Sequence, residues 1–249
     1  MKLTFLGSGH GVPAADRFCS CIMLEVGEQI YLIDIGAPAT DLLLRHGKRI
    51  EQVRAIFTTH AHGDHVNGLL SFADLLNWYY KKGSTDIYLT EERLARAVVD
   101  YLHALQPTAF DADRVRISAV DGDFVYDDGQ VRVSLIPTKH IVKGDQQRPS
   151  YAILLEAEGR RLLFTGDLSH KLAQSDFPAV ALEEPVDLVV CELAHFSLDD
   201  LTPVLKRLQT KALWFNHVYP LKKLEEIEAI RSVYPFDVEI AHDGDALTL

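Results

Sequence analysis

The sequence predicts an α/β protein built as a four-layer αββα sandwich, two mixed β-sheets with helices on the outside. Three observations carry this. Short β-rich runs alternate with turn residues along the whole chain. Several runs are continuously apolar (IYLIDIG, RLLFTGD, VDLVVCEL), as strands covered on both faces are. Helical patterns are inserted between them, and helices are what would cover the outer sheet faces.

In chain order, strands are expected at Lys2–Leu6, Cys21–Val26, Gln29–Asp34, Ala55–Thr59, Asp86–Leu89, Val115–Ala119 and Phe124–Tyr126. They continue at Val131–Pro137, Tyr151–Ala157, Arg161–Thr165, Leu188–Cys191, Ala212–Asn216 and Asp237–Ile240. Glu28, Gly129 and Gly159 sit in short polar gaps where hairpin turns belong. Helical periodicity marks Ala39–Leu44, His65–Lys82, Glu91–Leu105, Leu198–Gln209 and Lys222–Tyr234. Leu224, Ile227, Ile230 and Val233 recur every three residues and predict one buried face. No Pro/Gly/Ser-rich linker interrupts the series, so residues 1–249 read as a single hydrolase domain.

Hydrophobic residues make up 47% of the 249, enough for a sizeable core. No apolar run approaches the ~18–20 residues that span a membrane, and MKLTFLGSGHG reads as a first strand, not a secretion signal. Three cysteines (Cys19, Cys21, Cys191) make no disulfide framework, so a reducing cytoplasm is the expected setting. Cys19-Ser-Cys21 has no second pair to complete a zinc tetrahedron, and buried strand thiols are the better account. A net charge of −11 lacks the basic footprint of a protein that grips a long polynucleotide. It leaves room for a small anionic substrate held by metals.

The chemistry concentrates in Ile56-Phe57-Thr58-Thr59-His60-Ala61-His62-Gly63-Asp64-His65, a buried strand running into three histidines and one aspartate. Imidazole and carboxylate suit zinc and its first-row neighbours. In extended chain, His60 and His62 point to the same side and can share one ion. Gly63 then permits a sharp turn, after which Asp64 and His65 face a second ion and a helix begins. His140, Asp167 and His217 each follow a buried strand, where a sheet edge delivers side chains to a shared site.

The ordered set LGSGHGVP, LIDIG, HxHxDH, a later His, FTGD and a C-terminal strand ending in His resembles the metallo-β-lactamase superfamily over essentially the whole chain. The resemblance implies the αββα fold. It also implies that His60, His62 and His140 hold one metal, that Asp64, His65 and His217 hold the second, and that Asp167 bridges them. Two divalent ions bring +4 against −3 from Asp64, Asp167 and a bridging hydroxide, leaving positive charge for an anionic substrate. Attack of that hydroxide on phosphorus, or on a carbonyl, is the expected reaction. Zinc is the expected metal, with manganese or iron compatible with the same ligands.

Cys191-Glu192-Leu193-Ala194-His195-Phe196 resembles the region where superfamily phosphodiesterases, RNase Z among them, carry a His at a helix start. His195 lies 22 positions before His217, a spacing similar to that family's. The resemblance makes His195, tuned by Glu192, a proton donor to the leaving alkoxide. Asp64, Glu192 and His195 are therefore the expected catalytic set. Only 27 positions separate His140 from Asp167, which leaves no room for the tRNA-gripping arm that RNase Z inserts there. LIDIGAPAT also departs from that enzyme's AxDxGEGTQ. The resemblance extends to the cyclic phosphodiesterase of the carbon–phosphorus lyase pathway, whose cysteine-rich zinc site is not matched.

The expected function is thus a dinuclear phosphodiesterase acting on a small phosphodiester or cyclic nucleotide. Ribonuclease action on RNA 3′ ends is the alternative, lactone or thioester hydrolysis follows, and a metal-binding sensor without turnover comes last. His10 is a candidate pocket residue. His170, Lys139, Lys143, Arg148 and Lys171 lie near the ligand loops but read as solvated. Trp78-Tyr79-Tyr80 reads as core or as subunit contact, which leaves a homodimer open.

Overall fold

The structure is a computed structural model that describes residues 1–105, 110–143, 146–170 and 176–249. It forms two compact units, one of Met1–Val120 with Asp243–Leu249 and one of Asp121–His242. Each has its own sheet and its own apolar core.

The first unit contains β1 (Lys2–Gly7), β2 (Cys21–Val26), β3 (Gln29–Ile33), β4 (Val53–Phe57), β5 (Thr85–Leu89), β6 (Val115–Ala119) and the C-terminal β16 (Ala246–Thr248). They form a seven-stranded mixed sheet in the order β16-β1-β2-β3-β4-β5-β6. Pairing is antiparallel from β16 to β3 and parallel from β3 to β6. Parallel neighbours require crossovers, and the helices supply them. α1 (Ala39–Arg45) lies between β3 and β4; α2 (Gly63–Val66) and α3 (Leu69–Trp78) follow β4; α4 (Glu92–Leu105) precedes β6. In α4 the buried positions are Ala95, Val98 and Leu102, one stripe at helical spacing. They join Leu32, Ile56, Ile87, Phe72 and Leu76 in the core. Each such large side chain contributes about 1.5–3 kcal/mol on burial.

The continuous helix expected over His65–Lys82 is two helices, broken at Asn67–Gly68. The Gly68 amide leaves the helical ladder and donates to Ile35 O at 2.9 Å. A Cβ there would lie 2.8 Å from the carbonyl oxygens of Ile35 and Gly36, so this crossing of backbones demands glycine. The cysteines are free thiols: Cys21 is buried on β2, and Cys19 is half-buried just before it.

The second unit contains β7 (Val125–Asp127), β8 (Val131–Pro137), β11 (Tyr151–Ala157), β12 (Arg160–Phe164), β13 (Val186–Leu193), β14 (Thr210–Val218) and β15 (Asp237–Ile240). Their order is β15-β14-β13-β12-β11-β8-β7, parallel from β12 to β15 and antiparallel elsewhere. A two-stranded ribbon of β9 (Val142–Lys143) and β10 (Gln146–Gln147) stands apart from this sheet. Among the described residues, the unit also contains helices Val180–Glu183, Leu198–Leu205 and Lys223–Ile230. Leu198–Leu205 opens with a capping box in which Ser197 Oγ accepts from the Asp200 amide at 3.1 Å.

The face predicted for Lys222–Tyr234 is shorter than expected. Ile227 is fully buried, with Leu224 and Ile230 packed beside it, but the helix ends at Ile230 and Val233 is 64% exposed. Among the described residues, no helix is long and apolar enough to cross a membrane.

Candidate metal and catalytic site

In the first unit β4 runs through Thr58 and Thr59 into His60, which is wholly buried. His60 Nε2 lies 3.0 Å from His62 Nδ1, close enough for both to face one ion. The His60 and His65 ring centroids are 4.1 Å apart, and His65 Nε2 is 3.6 Å from Asp64 Oδ2. The four ligands expected from HxHxDH are therefore neighbours.

Behind them lies a residue that the sequence reading left without a role. Asp34, the middle residue of LIDIG and the first after β3, has φ +59° and is only 2% exposed. Its carboxylate accepts from the Thr59 amide at 2.7 Å and from Thr59 Oγ1 at 3.0 and 3.1 Å. Oδ2 also lies 2.7 Å from His65 Nδ1. A carboxylate accepts only, so Nδ1 carries the proton and Nε2 keeps a lone pair for a metal. The signal was present: a charge closing an apolar strand must be buried for a purpose.

Gly63 shows no left-handed backbone; a Cβ there would lie 2.8 Å from Asn67 Nδ2. The tightest neighbour is the mobile end of the Asn67 side chain, so neither a left-handed backbone nor a fixed wall demands glycine here.

In the second unit, three histidines converge on Asp167, His140 and His195 from segments after strands and His217 from near the end of β14. Its Oδ2 lies 3.4 Å from His217 Nε2, 3.6 Å from His140 Nε2 and 3.8 Å from His195 Nε2. His217 is skipped in the β13–β14 register and has φ +51°, a bulge that re-aims its side chain. Glu192, 1% exposed, organises the remainder. Oε1 accepts from the Leu168 amide at 2.8 Å and lies 2.9 Å from His195 Nδ1. Oε2 accepts from the amides of Ala194 (2.6 Å) and His195 (3.1 Å).

Asp176, also unassigned from sequence, ties two ligand loops together. It accepts from the Lys139 amide at 2.8 Å and the Ser169 amide at 2.7 Å. Burial pushes its carboxyl up, and those two amides pull it partly back. Nothing in its local sequence announces this role.

The donor chemistry suits divalent ions. Buried imidazoles and carboxylates crowd together, and His65 has its second nitrogen pinned by an acceptor. Asp167 Oδ2 close to the ε nitrogens of His140 and His217 is a donor set that a divalent ion could share.

Of the weaker candidates, His10 accepts from the Val12 amide at 3.0 Å through Nδ1, and a Cβ on the adjoining Gly11 would lie 2.8 Å from Asp64 Oδ2. Its loop therefore borders the ligand cluster. Lys139, Arg148 and His170 are exposed. Lys143 lies on β9, and Lys171 lies outside the described residues. Tyr79 is 72% exposed, while Tyr80 packs on the first core.

Residues 1–228 match the family described as Anti-Pycsar protein Apyc1. A Ribonuclease Z of Microcystis aeruginosa (strain NIES-843 / IAM M-2473) is 34% identical over 144 residues, 56% of this chain and 44% of that protein. The chain spans about half the length of the Ribonuclease Z relatives it matches. The crystal structure of the metallo-β-lactamase fold protein YhfI from Bacillus subtilis superposes with a TM-score of 0.76 at 18% identity, over 99% of each chain. A diphosphatase from the PhnP family superposes with a TM-score of 0.70 at 21% identity, over 100% of this chain and 97% of that one. These likenesses establish the metallo-β-lactamase fold that the motif order led us to expect.

Proposed function

The chain belongs to the Anti-Pycsar protein Apyc1 family, on the RNase Z-like branch of the metallo-β-lactamase superfamily, and from that premise we propose a metal-dependent phosphodiesterase acting on a small phosphodiester or cyclic nucleotide. One observation carries the reading. Glu192 holds His195 Nδ1 at 2.9 Å while His195 Nε2 stands 3.8 Å from Asp167. This is a histidine presented to the candidate metal cluster with one nitrogen anchored and the other available for proton transfer.

In this reading two divalent ions, zinc foremost, are held by His60, His62, Asp64, His65, His140, Asp167 and His217. When bound, such ions supply Lewis acidity and an activated water. The protein's own groups do the rest. Asp34 engages Nδ1 of His65 at 2.7 Å and Thr59 Oγ1 engages Nδ1 of His60 at 3.0 Å, which turns the Nε2 of each toward the proposed ions. The Glu192 carboxylate favours the imidazolium of His195. His195 then delivers its Nε2 proton to the departing alkoxide oxygen and remains hydrogen-bonded to Glu192 through Nδ1. A phosphodiester gains more from such an acid than an activated ester does, because its leaving group is a poor one.

The preference for a small substrate rests on the interval between His140 and Asp167 and on the net charge of −11. The likeness to a PhnP-family diphosphatase supports it. Identity to Ribonuclease Z supports the alternative, action on RNA 3′ ends. The proposal treats residues 1–249 as one hydrolase domain in a reducing cytoplasm; a homodimer is compatible with it.

The test is a panel of small phosphodiesters, cyclic nucleotides, RNA 3′-end precursors, lactones and thioesters, assayed with zinc and with manganese, alongside metal analysis. Turnover of small phosphodiesters or cyclic nucleotides, with about two metals per chain, is the expected result. Turnover confined to RNA precursors would establish the alternative, and turnover confined to lactones or thioesters would remove phosphodiester chemistry altogether.

A further inference from the structure

We propose that Lys223 is a positioning residue that holds the His195 turn in place; its catalytic consequence rests on the reading of His195 as proton donor. The Lys223 ammonium donates to three backbone carbonyls of one turn: Leu193 O at 3.1 Å, Ala194 O at 3.2 Å and Phe196 O at 2.7 Å. An ammonium has three N–H groups and no acceptor, so this set saturates it. Glu192 meanwhile takes the amides of Ala194 and His195. The polar backbone of one turn is thus divided between two charged side chains, its N–H groups to a carboxylate and its carbonyls to an ammonium.

Helix formation does not explain a lysine at this position. Lys223 is the first residue of Lys223–Ile230, where a cation meets the positive end of the helix dipole. The helix Leu198–Leu205 carries Asp199 and Asp200 in its first turn, the favourable sign. Lys223 is half-buried as well, and burial pushes its ammonium down, against the pull of Glu192 and Glu226. A side chain that opposes both the dipole and desolvation is retained by what it binds, and what it binds is the turn carrying His195. Charge-assisted hydrogen bonds of this kind are the stronger ones, so their loss should loosen the turn more than it weakens the fold.

The experiment compares the metal-loaded wild type with Lys223→Met, which keeps the stem, and Lys223→Arg, whose planar fork cannot converge on three carbonyls. Amide hydrogen exchange is read at Ala194 and His195. We expect exchange about 10-fold faster or more in Lys223→Met, with Lys223→Arg restoring little of the protection. Unchanged exchange in Lys223→Met would overturn the proposal, as would full protection in Lys223→Arg, because charge alone would then suffice. Should Lys223→Met fail to fold, Lys223→Arg alone decides on the same readout. A mutant cycle with His195→Ala then tests the route to catalysis. Lys223→Met should lower kcat on a poor-leaving-group phosphodiester about 10-fold when His195 is present and have no effect when it is absent. Losses that multiply would show that Lys223 does not act through His195. If His195→Ala itself costs no activity, the proton-donor reading fails, while the exchange result still decides whether Lys223 holds the turn.

Discussion

Asp34 Oδ2 and His65 Nδ1 lie 2.7 Å apart, although 31 positions separate the two residues. The contact joins the end of β3 to α2, and it engages Nδ1 of His65, so that Nε2 is the nitrogen turned toward the proposed metal. Asp34→Asn keeps the volume but exchanges one acceptor for a donor that opposes Nδ1–H. Metal affinity should fall about 10- to 100-fold with the fold intact. Titration with a chromophoric chelator measures this. Wild-type affinity in the variant would mean that His65 is oriented by its packing alone.

How much of this was legible beforehand depends on the range of the interaction. HxHxDH and FTGD announce themselves because their ligands are contiguous or end an apolar strand. Asp34 was half-visible, as a charge in the middle of the apolar LIDIG run. Asp176 and Lys223 were not, since each works on backbone groups 7 to 37 positions away and local composition does not encode the partner. The break at Gly68 escaped for the same reason: periodicity continues across it, and only the approach of the Ile35 and Gly36 carbonyls requires it. Val233 fits the apolar spacing of its neighbours, yet the helix stops three residues earlier. Strand β16 is three residues long and largely exposed, and pairing with β1 defines it where composition could not.

Gly36 provides a steric prediction. A Cβ at this position would sit 2.4 Å from Asp64 O and 2.6 Å from Cys19 Cβ, against backbone on one side and a strand-end residue on the other. Neither can swing away as a flexible side chain would. Gly36→Ala should therefore destabilise by about 1–3 kcal/mol, and it should weaken metal binding, because Asp64 must move. Thermal melting with and without added zinc reads both effects. A variant that melts with the wild type would show that the loop after β3 yields easily.

Asp187, near the start of β13, predicts a pH dependence of stability. Burial alone would raise its carboxyl. Lys211 Nζ at 2.6 Å, the Arg161 amide at 2.9 Å and Arg160 at 3.0 Å outweigh that and hold it below the ordinary value. A folded pKa below the unfolded one stabilises above the unfolded value, and that stability is lost as pH falls through the folded one. Wild type should exceed Asp187→Asn by on the order of 1 kcal/mol at neutral pH, no more, because Lys211 and Arg160 are exposed and screened. The gap should stay flat above about pH 5 and close below about pH 4. Urea unfolding across that range measures it, and a gap that persists at pH 3 would mean that the ion pairs contribute through packing.

His195→Ala separates proton donation from the rest of the proposed chemistry. If His195 protonates the departing oxygen, its loss matters in proportion to that oxygen's basicity. A phosphodiester with an alkyl or ribose leaving group should lose about 10²- to 10⁴-fold in turnover. Bis(p-nitrophenyl) phosphate, whose leaving phenolate needs no proton, should lose far less. Metal content should be unchanged, because His195 is not among the proposed ligands, although its Nε2 stands 3.8 Å from Asp167. Glu192→Gln should show the same selectivity with some loss of stability, because one accepting oxygen becomes an NH2 that opposes the N–H groups it faced, and the neutral amide no longer favours the imidazolium. Equal losses on both substrates would reassign His195 to substrate binding, and a drop in bound metal would make it a ligand.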